Sequence, residues 1–351
     1  MKKILSFTLF LAAIIPIVSA QKKQFITVRE DSARKEIIVM ADDSPFTAFI
    51  YPDNLEKPTL YPIFAANGEV ITRGFPLAPR PNEPTDHPHH IGLWMNYESV
   101  NGLDFWNNSS AIPEIKKNKY GWIKTTAISE TKSGTAGVIK YTADWCDIKK
   151  HVLLKEHTAF TFTATTNFRV IDRTTTFTAM EAVSFADVKD GLLGLRVAHE
   201  LELPSKEERQ FTDMHGSVTT IKGNSESNTI GHYITSENKV DDDAWGTRGK
   251  WCMLYGQKGK DTISIVIMDN PDNVGYPTYW HARGYGLFAA NPLGQKVFSN
   301  GNEVLNLRLE KGNSVTFRYR ILIASDKKRL SIMAVNRLWE EFAFSNKRDR
   351  K

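Results

Sequence analysis

Apolar and polar side chains alternate along residues 137–145, whose sequence is GVIKYTADW. Successive side chains of a β-strand point to opposite faces of a sheet, so this period of two predicts a strand with one buried face. The same alternation continues from Thr158 to Val170, and the side chains expected to share its buried face are Phe160, Phe162, Ala164 and Phe168. Two long strands of this kind favour a β-sheet protein.

Shorter strand-like runs rich in β-branched and aromatic residues continue the pattern along the chain. They occupy residues 25–28, 36–40, 174–177, 192–197, 218–221, 252–255, 262–268 and 315–323. Turn signals, such as the glycine-bounded segment 256–259, separate neighbouring runs. The strands therefore extend over most of the chain.

One amphipathic helix is predicted near the C-terminus, at about residues 328–344, because Ile332, Val335 and Trp339 repeat at helical spacing. No internal repeat or proline-rich linker divides the chain. We therefore predict an all-β fold, a large antiparallel β-sandwich with a C-terminal amphipathic helix, as a single domain over residues 21–351. A split into two β domains is the alternative.

The first twenty residues predict a signal peptide. Lys2 and Lys3 precede an apolar stretch, and small residues at 18–20 mark a cleavage site before Gln21. A membrane anchor is the alternative, but the stretch is shorter than the ~20 residues that span a bilayer. We expect an exported protein, periplasmic or secreted, with no membrane insertion once the signal peptide is removed.

The charge distribution argues against one class of binding partner, and the two cysteines allow at most one disulfide within the chain. The formal charge of +5 is scattered, and no basic block interleaved with aromatic residues is present, which argues against nucleic acid. Cys146 and Cys252 are the two cysteines. In an oxidising compartment they could pair, or they could remain two buried free thiols.

The densest polar signal is the segment 85–94, TDHPHHIGLW. Prolines around it indicate a loop, and loops held by a rigid scaffold often carry binding and catalytic groups. Imidazole can transfer protons near neutral pH or bind a transition metal. We identify His87, His89 and His90 as candidate catalytic residues, with Asp86 orienting a neighbouring imidazole.

A second signal lies at residues 276–286, YPTYWHARGYG. Aromatic faces beside polar groups suit a sugar, because they offer platforms for C–H faces and partners for hydroxyls. His281 is a further candidate catalytic residue. The candidate substrate-binding residues here are Tyr279, Trp280, Arg283 and Tyr285.

Weaker candidates for substrate binding are Trp94, Asp104 and Arg196. Trp94 lies in the histidine segment, and Asp104 follows soon after it. Arg196 lies on a predicted strand, where a structural ion pair is equally consistent. Residues 187–191 indicate a strand-ending turn.

Long motifs in this chain are similar to those of a bacterial secreted family labelled "methane oxygenase PmoA-like". They lie at residues 86–90, 101–106, 245–248, 271–273, 277–283 and 285–292. Methane oxidation does not follow, because a particulate methane monooxygenase subunit is a bundle of membrane-spanning helices and this chain offers none after its signal peptide. Two departures from the family pattern are Ile91, where Arg is common, and Asn270, where His is frequent.

More distantly, the long strands and the two separated histidine positions resemble the galactose-mutarotase type of β-supersandwich. That resemblance implies a carbohydrate substrate and proton transfer by His with a carboxylate or Tyr partner. Fold-level analogy does not fix function, which depends on the site.

Three hypotheses follow. The first is an exported enzyme that acts on a small-molecule or oligosaccharide substrate by acid–base chemistry, as a lyase, epimerase or hydrolase, with His90 or His87 as acid and His281 as base or second acid. The second is a metalloenzyme, a hydrolase or oxygenase-like, in which His87, His89 and His281 hold a divalent transition metal. The third is a non-catalytic carbohydrate-binding module. No cofactor is certain from the sequence.

Overall fold

Two eight-stranded antiparallel sheets dominate the computed structural model, which describes residues 22–205, 208–212, 218–221 and 230–344. The predicted signal peptide, residues 1–20, lies outside these residues. The strands of the first sheet are β1 (Ile26–Asp31), β2 (Glu36–Ala41), β3 (Ser44–Ile50), β4 (Thr59–Ile63), β5 (Leu93–Tyr97), β11 (Gly191–Arg196), β17 (Tyr279–Ala282) and β18 (Leu287–Asn291).

The second sheet is built from longer strands. Its members are β6 (Trp122–Lys132), β7 (Gly137–Cys146), β8 (Val152–Ala164), β9 (Phe168–Ala179), β14 (His232–Thr235), β15 (Trp251–Lys258), β16 (Asp261–Asp269) and β20 (Ser314–Asp326). Two small ribbons pair β10 (Val183–Ser184) with β19 (Arg308–Leu309) and β12 (Arg209–Thr212) with β13 (Val218–Ile221). The α-helices are α1 (Gln295–Phe298) and α2 (Ile332–Ala343), and short 3-10 helices lie at Glu114–Lys119, His199–Leu201 and Asp241–Ala244.

The strand order is β1-β2-β3-β4-β5-β11-β18-β17 in the first sheet and β14-β15-β16-β20-β9-β8-β7-β6 in the second. One apolar core joins the inner faces of both sheets. On β7, Ile139, Tyr141 and Trp145 enter this core, while the polar residues between them face outward, as the period of two requires. The prediction of an all-β antiparallel sandwich is confirmed.

Helix α2 covers the outer face of the second sheet. The Ser331 side chain caps it by accepting a hydrogen bond from the backbone N–H of Ala334 at 3.2 Å. Val335 and Trp339 pack on Trp251 and Met268, which point away from the core between the sheets. The predicted C-terminal helix is therefore present, and it buries an apolar face that the second sheet would otherwise expose.

The strand predicted over Thr158 to Val170 is two strands. Strand β8 ends at Ala164, the chain turns, and β9 begins at Phe168. Phe160 and Phe162 enter the core between the sheets, whereas Phe168 packs with the cluster under α2 on the other face. The prediction that these side chains share a face is wrong for Phe168, because the turn reverses the chain and resets the alternation.

Two smaller points concern the cysteines and membrane spans. Cys146 and Cys252 are buried free thiols, so they do not pair. No helix among the described residues has the length and apolar content that a membrane crossing needs. The single-domain assignment over residues 21–351 stays a prediction.

Candidate active site

The candidate site lies on the outer face of the first sheet, opposite the core. On β5, Leu93 and Met95 point into the core between the sheets, while Trp94 joins Trp106 and Leu287 in a separate cluster on the other side. The same alternation on β11 and β17 sends Arg196 and His281 to that outer face, between core residues. The neighbouring strands β5, β11, β18 and β17, at one end of the first sheet, thus form the floor of the site.

A buried arginine holds the histidine segment from below. The guanidinium of Arg73, fully buried, donates from Nη1 to the Asp86 carbonyl at 2.8 Å and from Nη2 to the His87 carbonyl at 2.9 Å and the His90 carbonyl at 3.3 Å. His87 itself has φ +46°, a left-handed conformation that is uncommon for a non-glycine residue. These bonds fix the irregular backbone that presents the histidines.

Asp86 is the electrostatic centre of the loop. Its Oδ1 accepts from Arg73 Nη1 at 2.8 Å and from Arg196 Nη2 at 3.0 Å, and its Oδ2 forms a short hydrogen bond with His87 Nδ1. Burial raises the pKa of Asp86, but the His87 bond and the charges of Arg196 and Arg73 outweigh it and hold that pKa well below its usual range. Asp86 is therefore an ionised acceptor that orients the His87 ring.

Four aromatic rings form a stack above the sheet at the candidate site. Tyr285 is parallel to His87 at 5.2 Å between centroids, His87 to His90 at 4.8 Å, and His90 stacks on Trp94 at 5.3 Å. Trp94 is fully buried, so it supports His90 and offers no face to a ligand. The structure thus corrects the sequence-based role of Trp94 as a sugar platform.

His89 and His90 are buried and uncharged. Burial is the main cause that holds both pKa values well below the usual range, and the cations Lys57, near His89, and Arg196, near His90, lower them further. His90 Nδ1 lies 3.4 Å from Arg196 Nη1, and its buried Nε2 has no partner among the described residues. Of the three loop histidines, only His87 is exposed to solvent.

Asp190 lies beside His281, with no hydrogen bond from the Nδ1 of His281 among the described residues. His281 Nδ1 lies 3.5 Å from Asp190 Oδ1, and burial lowers the pKa of His281 to about 3, with help from Lys189 and Arg283. Burial raises the pKa of Asp190, while the charges of Lys189 and His87 oppose that rise.

The side chains of Asp104 and Tyr279 are both engaged in contacts with neighbouring residues. The Asp104 carboxylate accepts from the backbone N–H and the side-chain amide of Asn107, both at 2.9 Å. Tyr279 is buried beneath the guanidinium of Arg248, which lies 4.5 Å from the ring centroid. Trp280 is fully buried in the core between the sheets, which corrects its predicted role as a stacking platform.

The structure does not gather His87, His89 and His281 into a metal site. No group of three or more His, Cys, Asp or Glu side chains in the described part of the chain is arranged to hold a metal ion. The Nδ1 of His87 is engaged by Asp86, and His281 lies beside Asp190. Each of these two imidazoles therefore has a carboxylate neighbour of its own.

Sequence reasoning missed Arg73, Lys57 and the role of Asp190. Lys57 is buried, donates to the His89 carbonyl at 2.7 Å, and has a pKa lowered by burial to about 8. Neither Arg73 nor Lys57 lies in a motif, and a buried cation cannot be distinguished from a surface one by residue type. Asp190 lies in the predicted turn 187–191, and only its raised pKa and its His281 contact mark it.

Residues 36–340 match the family described as "Family of unknown function (DUF6807)". No curated protein matches the chain in sequence. Among solved structures, the GH36 α-galactosidase AgaB from Geobacillus stearothermophilus is similar at 9% identity and a TM-score of 0.40. That match covers 86% of this chain but only 41% of the galactosidase chain.

Two shorter proteins are similar over nearly their whole length. The Slr1438 protein from Synechocystis sp. PCC 6803 has 9% identity and a TM-score of 0.33, with 93% of this chain and 100% of that chain covered. The GalM/aldose epimerase homologue from C. elegans has 10% identity and a TM-score of 0.27, with 87% and 99% covered. Similarities this low do not transfer an activity to this chain.

Proposed function

The chain belongs to the DUF6807 family of unknown function, and we propose that this member is an exported enzyme that acts on a carbohydrate or sugar derivative by histidine-based acid–base chemistry. One observation carries the proposal. An exposed imidazole, His87, is oriented by a carboxylate, Asp86, that two buried arginines hold in its ionised form. In such a carboxylate–imidazole pair, the imidazole can act as a general base.

The Asp86 contact assigns the tautomer of His87. An ionised carboxylate can only accept, so neutral His87 carries its proton on Nδ1 and keeps the lone pair on Nε2. The His87 side chain is 40% exposed, whereas that of Asp86 is 14% exposed. Nε2 is therefore the atom that takes a proton from substrate, and Asp86 stabilises the imidazolium that results.

Asp190 supplies the complementary acid. Its pKa is raised by burial while that of Asp86 is lowered, and two carboxyls pushed in opposite directions are suited to opposite roles. In its protonated form Asp190 would give its proton to the substrate, and His281 Nδ1 lies 3.5 Å from its Oδ1. Elimination, epimerisation and hydrolysis all need one proton removed and one delivered.

The test is a substrate screen with a matched pair of variants. Free aldoses are followed by NMR for anomer or epimer exchange, glycosides for released reducing sugar, and polyuronides for the ultraviolet absorbance of an unsaturated product. His87→Gln should lose about 10²- to 10⁴-fold of whichever activity the wild type shows. His151→Gln is the control, because His151 forms a similar pair with Glu181 at 2.8 Å on the exposed surface.

Two outcomes would overturn the proposal. A folded His87→Gln variant with full activity would remove His87 from the mechanism. Sugar binding without turnover of any class would instead favour a non-catalytic carbohydrate-binding module.

Export is part of the proposal and rests on residues 1–20. The mature protein isolated from its native host should begin at Gln21, which N-terminal sequencing would determine. An intact Met1 on the mature protein would contradict export by this signal.

A further inference from the structure

The guanidinium of Arg283 contacts two aromatic rings and has no hydrogen-bond or ionic partner among the described residues. It lies 5.5 Å from the centroid of Trp245 and 5.8 Å from that of Tyr285. The other arginines of this face are committed, since Arg196 donates to Asp86 and Arg248 donates to the Pro277 carbonyl at 2.7 Å. Among the arginines described on this face, Arg283 is the one whose donors remain available to a ligand.

A pocket of about 420 Å³ opens at this guanidinium. Arg283, Tyr285, Trp245 and Asp242 contribute to its lining, and its size falls in the range of small-molecule sites. Asp242 is exposed and forms no ion pair with Arg283 in the described part of the chain, so solvent screens its charge. The half-buried Arg283 therefore sets the electrostatic preference of the pocket.

A larger cavity, of about 560 Å³, lies on the second sheet, and Trp122, Lys124 and Lys150 contribute to its lining. Lys124 donates to the Asp53 and Leu55 carbonyls at 2.8 and 2.7 Å. Of the acidic residues that line it, Asp144 pairs with Lys155 at 2.9 Å. Lys150 is exposed, so it offers a solvated charge without the planar fork of a guanidinium.

We infer that the pocket at Arg283 binds the carboxylate of an acidic sugar, such as a uronic acid. The inference rests on the proposed function, because it names the substrate class of the same site. A guanidinium offers a planar fork that matches a carboxylate with two parallel hydrogen bonds. The rings of Trp245 and Tyr285 lie beside that fork and restrict its motion, so less side-chain freedom is lost on binding.

Tyr285 connects this pocket to the general base. One Tyr285 ring contacts the Arg283 guanidinium and lies parallel to the His87 ring. A sugar anchored at Arg283 through its carboxylate would therefore lie near the ring that also packs on the base. A neutral sugar would lack this anchor.

Equilibrium binding tests the inference without relying on turnover. Isothermal calorimetry would compare D-galacturonate, its methyl ester and D-galactose on the wild type, Arg283→Gln and Arg329→Gln. Arg329 is the matched control, because its guanidinium also lies on a ring, 5.0 Å from the Tyr255 centroid, at a position outside the site. Galacturonate should bind wild type and Arg329→Gln alike and bind Arg283→Gln about tenfold or more weakly.

The neutral sugars separate charge recognition from general sugar binding. The ester and galactose should bind equally to all three proteins and more weakly than galacturonate binds the wild type. Equal affinity of galacturonate for wild type and Arg283→Gln would overturn the inference, as would binding of a sulfated galactose in its place. If Arg283→Gln fails to fold, Arg283→Lys keeps the charge without the fork and should still weaken galacturonate binding.

The outcomes also separate this inference from the proposed function. Arg283-dependent binding of galacturonate without turnover of any sugar would support the pocket and overturn the enzyme. Turnover of neutral sugars that depends on His87, with no galacturonate binding, would support the enzyme and overturn the pocket.

Discussion

The rings of His87 and Tyr285 lie parallel, with their centroids 5.2 Å apart and 1° between their planes. His87 comes from the loop before β5 and Tyr285 from the turn between β17 and β18, so two segments almost two hundred residues apart meet here. Tyr285 also lines the Arg283 pocket, so a single side chain contacts both the base and the pocket arginine.

Removing the Tyr285 ring should leave the His87 imidazole less well positioned. In Tyr285→Leu the His87 ring loses its parallel neighbour, and we expect kcat to fall about tenfold because the base is less well positioned. Tyr285→Phe keeps the ring and should retain most of kcat. Imidazole NMR of His87 provides a readout independent of turnover, and unchanged His87 signals in Tyr285→Leu would contradict a positioning role.

Asp86→Asn should be strongly destabilising. The substitution removes the carboxylate that Arg73 and Arg196 share; Arg196 keeps its ion pair with Glu202, but Arg73 is left without one among the described residues, and an uncompensated buried cation typically costs about 3–5 kcal/mol. The control is Asp172→Asn, since Asp172 pairs with Arg320 in a partly exposed position and should cost about 1 kcal/mol. Urea unfolding of both variants makes the comparison, and equal losses would show that Asp86 is not the anchor of its loop.

Truncation of Trp280 should mainly reduce stability, whereas truncation of Trp245 should mainly weaken ligand binding. Trp280 is fully buried in the core, so Trp280→Ala should reduce the free energy of unfolding by about 3–5 kcal/mol. Trp245 is 36% exposed and lines the Arg283 pocket, so Trp245→Ala should cost far less stability and should weaken galacturonate binding. Denaturant titration with calorimetry checks both, and a native-like stability of Trp280→Ala would contradict its place in the core.

Asp269 should make stability depend on pH. It is fully buried, accepts from Asn273 Nδ2 at 2.7 Å and the Thr278 N–H at 2.8 Å, and burial raises its pKa to about 7. An unfolded aspartate titrates near pH ~4. From about pH 4 to about pH 7 the folded protein thus holds a proton that the unfolded chain has released, so the free energy of unfolding falls as pH rises.

Asp269→Asn removes this titration. Urea midpoints measured at about pH 5 and about pH 8 should differ less in the variant than in the wild type. An unchanged difference between the two pH values would show that Asp269 does not titrate in this window. The hydrogen bond from the Thr278 N–H to Asp269 holds the residue just before β17, the strand that carries His281. Asp269→Asn therefore also tests whether this bond helps to position His281.

The sequence by itself determined the strands, the C-terminal helix and the candidate loop. Alternation along residues 137–145 and helical spacing after Ser331 are local signals, and both elements form where the sequence predicts them. His87, His89 and His90 are close together in the sequence, so the candidate loop could be predicted without knowledge of the fold. The alternation failed only at Phe168, where a turn interrupted it.

The tertiary structure decided which of these side chains can meet a substrate. His89, His90 and Trp280 have the residue types of a sugar site, yet the sheet buries them, whereas Arg73 lies in no motif and becomes the support of the histidine loop. The proximity of Asp190 to His281 and the free guanidinium of Arg283 likewise depend on strands far apart in sequence. Burial and long-range contacts set the charge state and access of a side chain, and neither is encoded in its immediate neighbours.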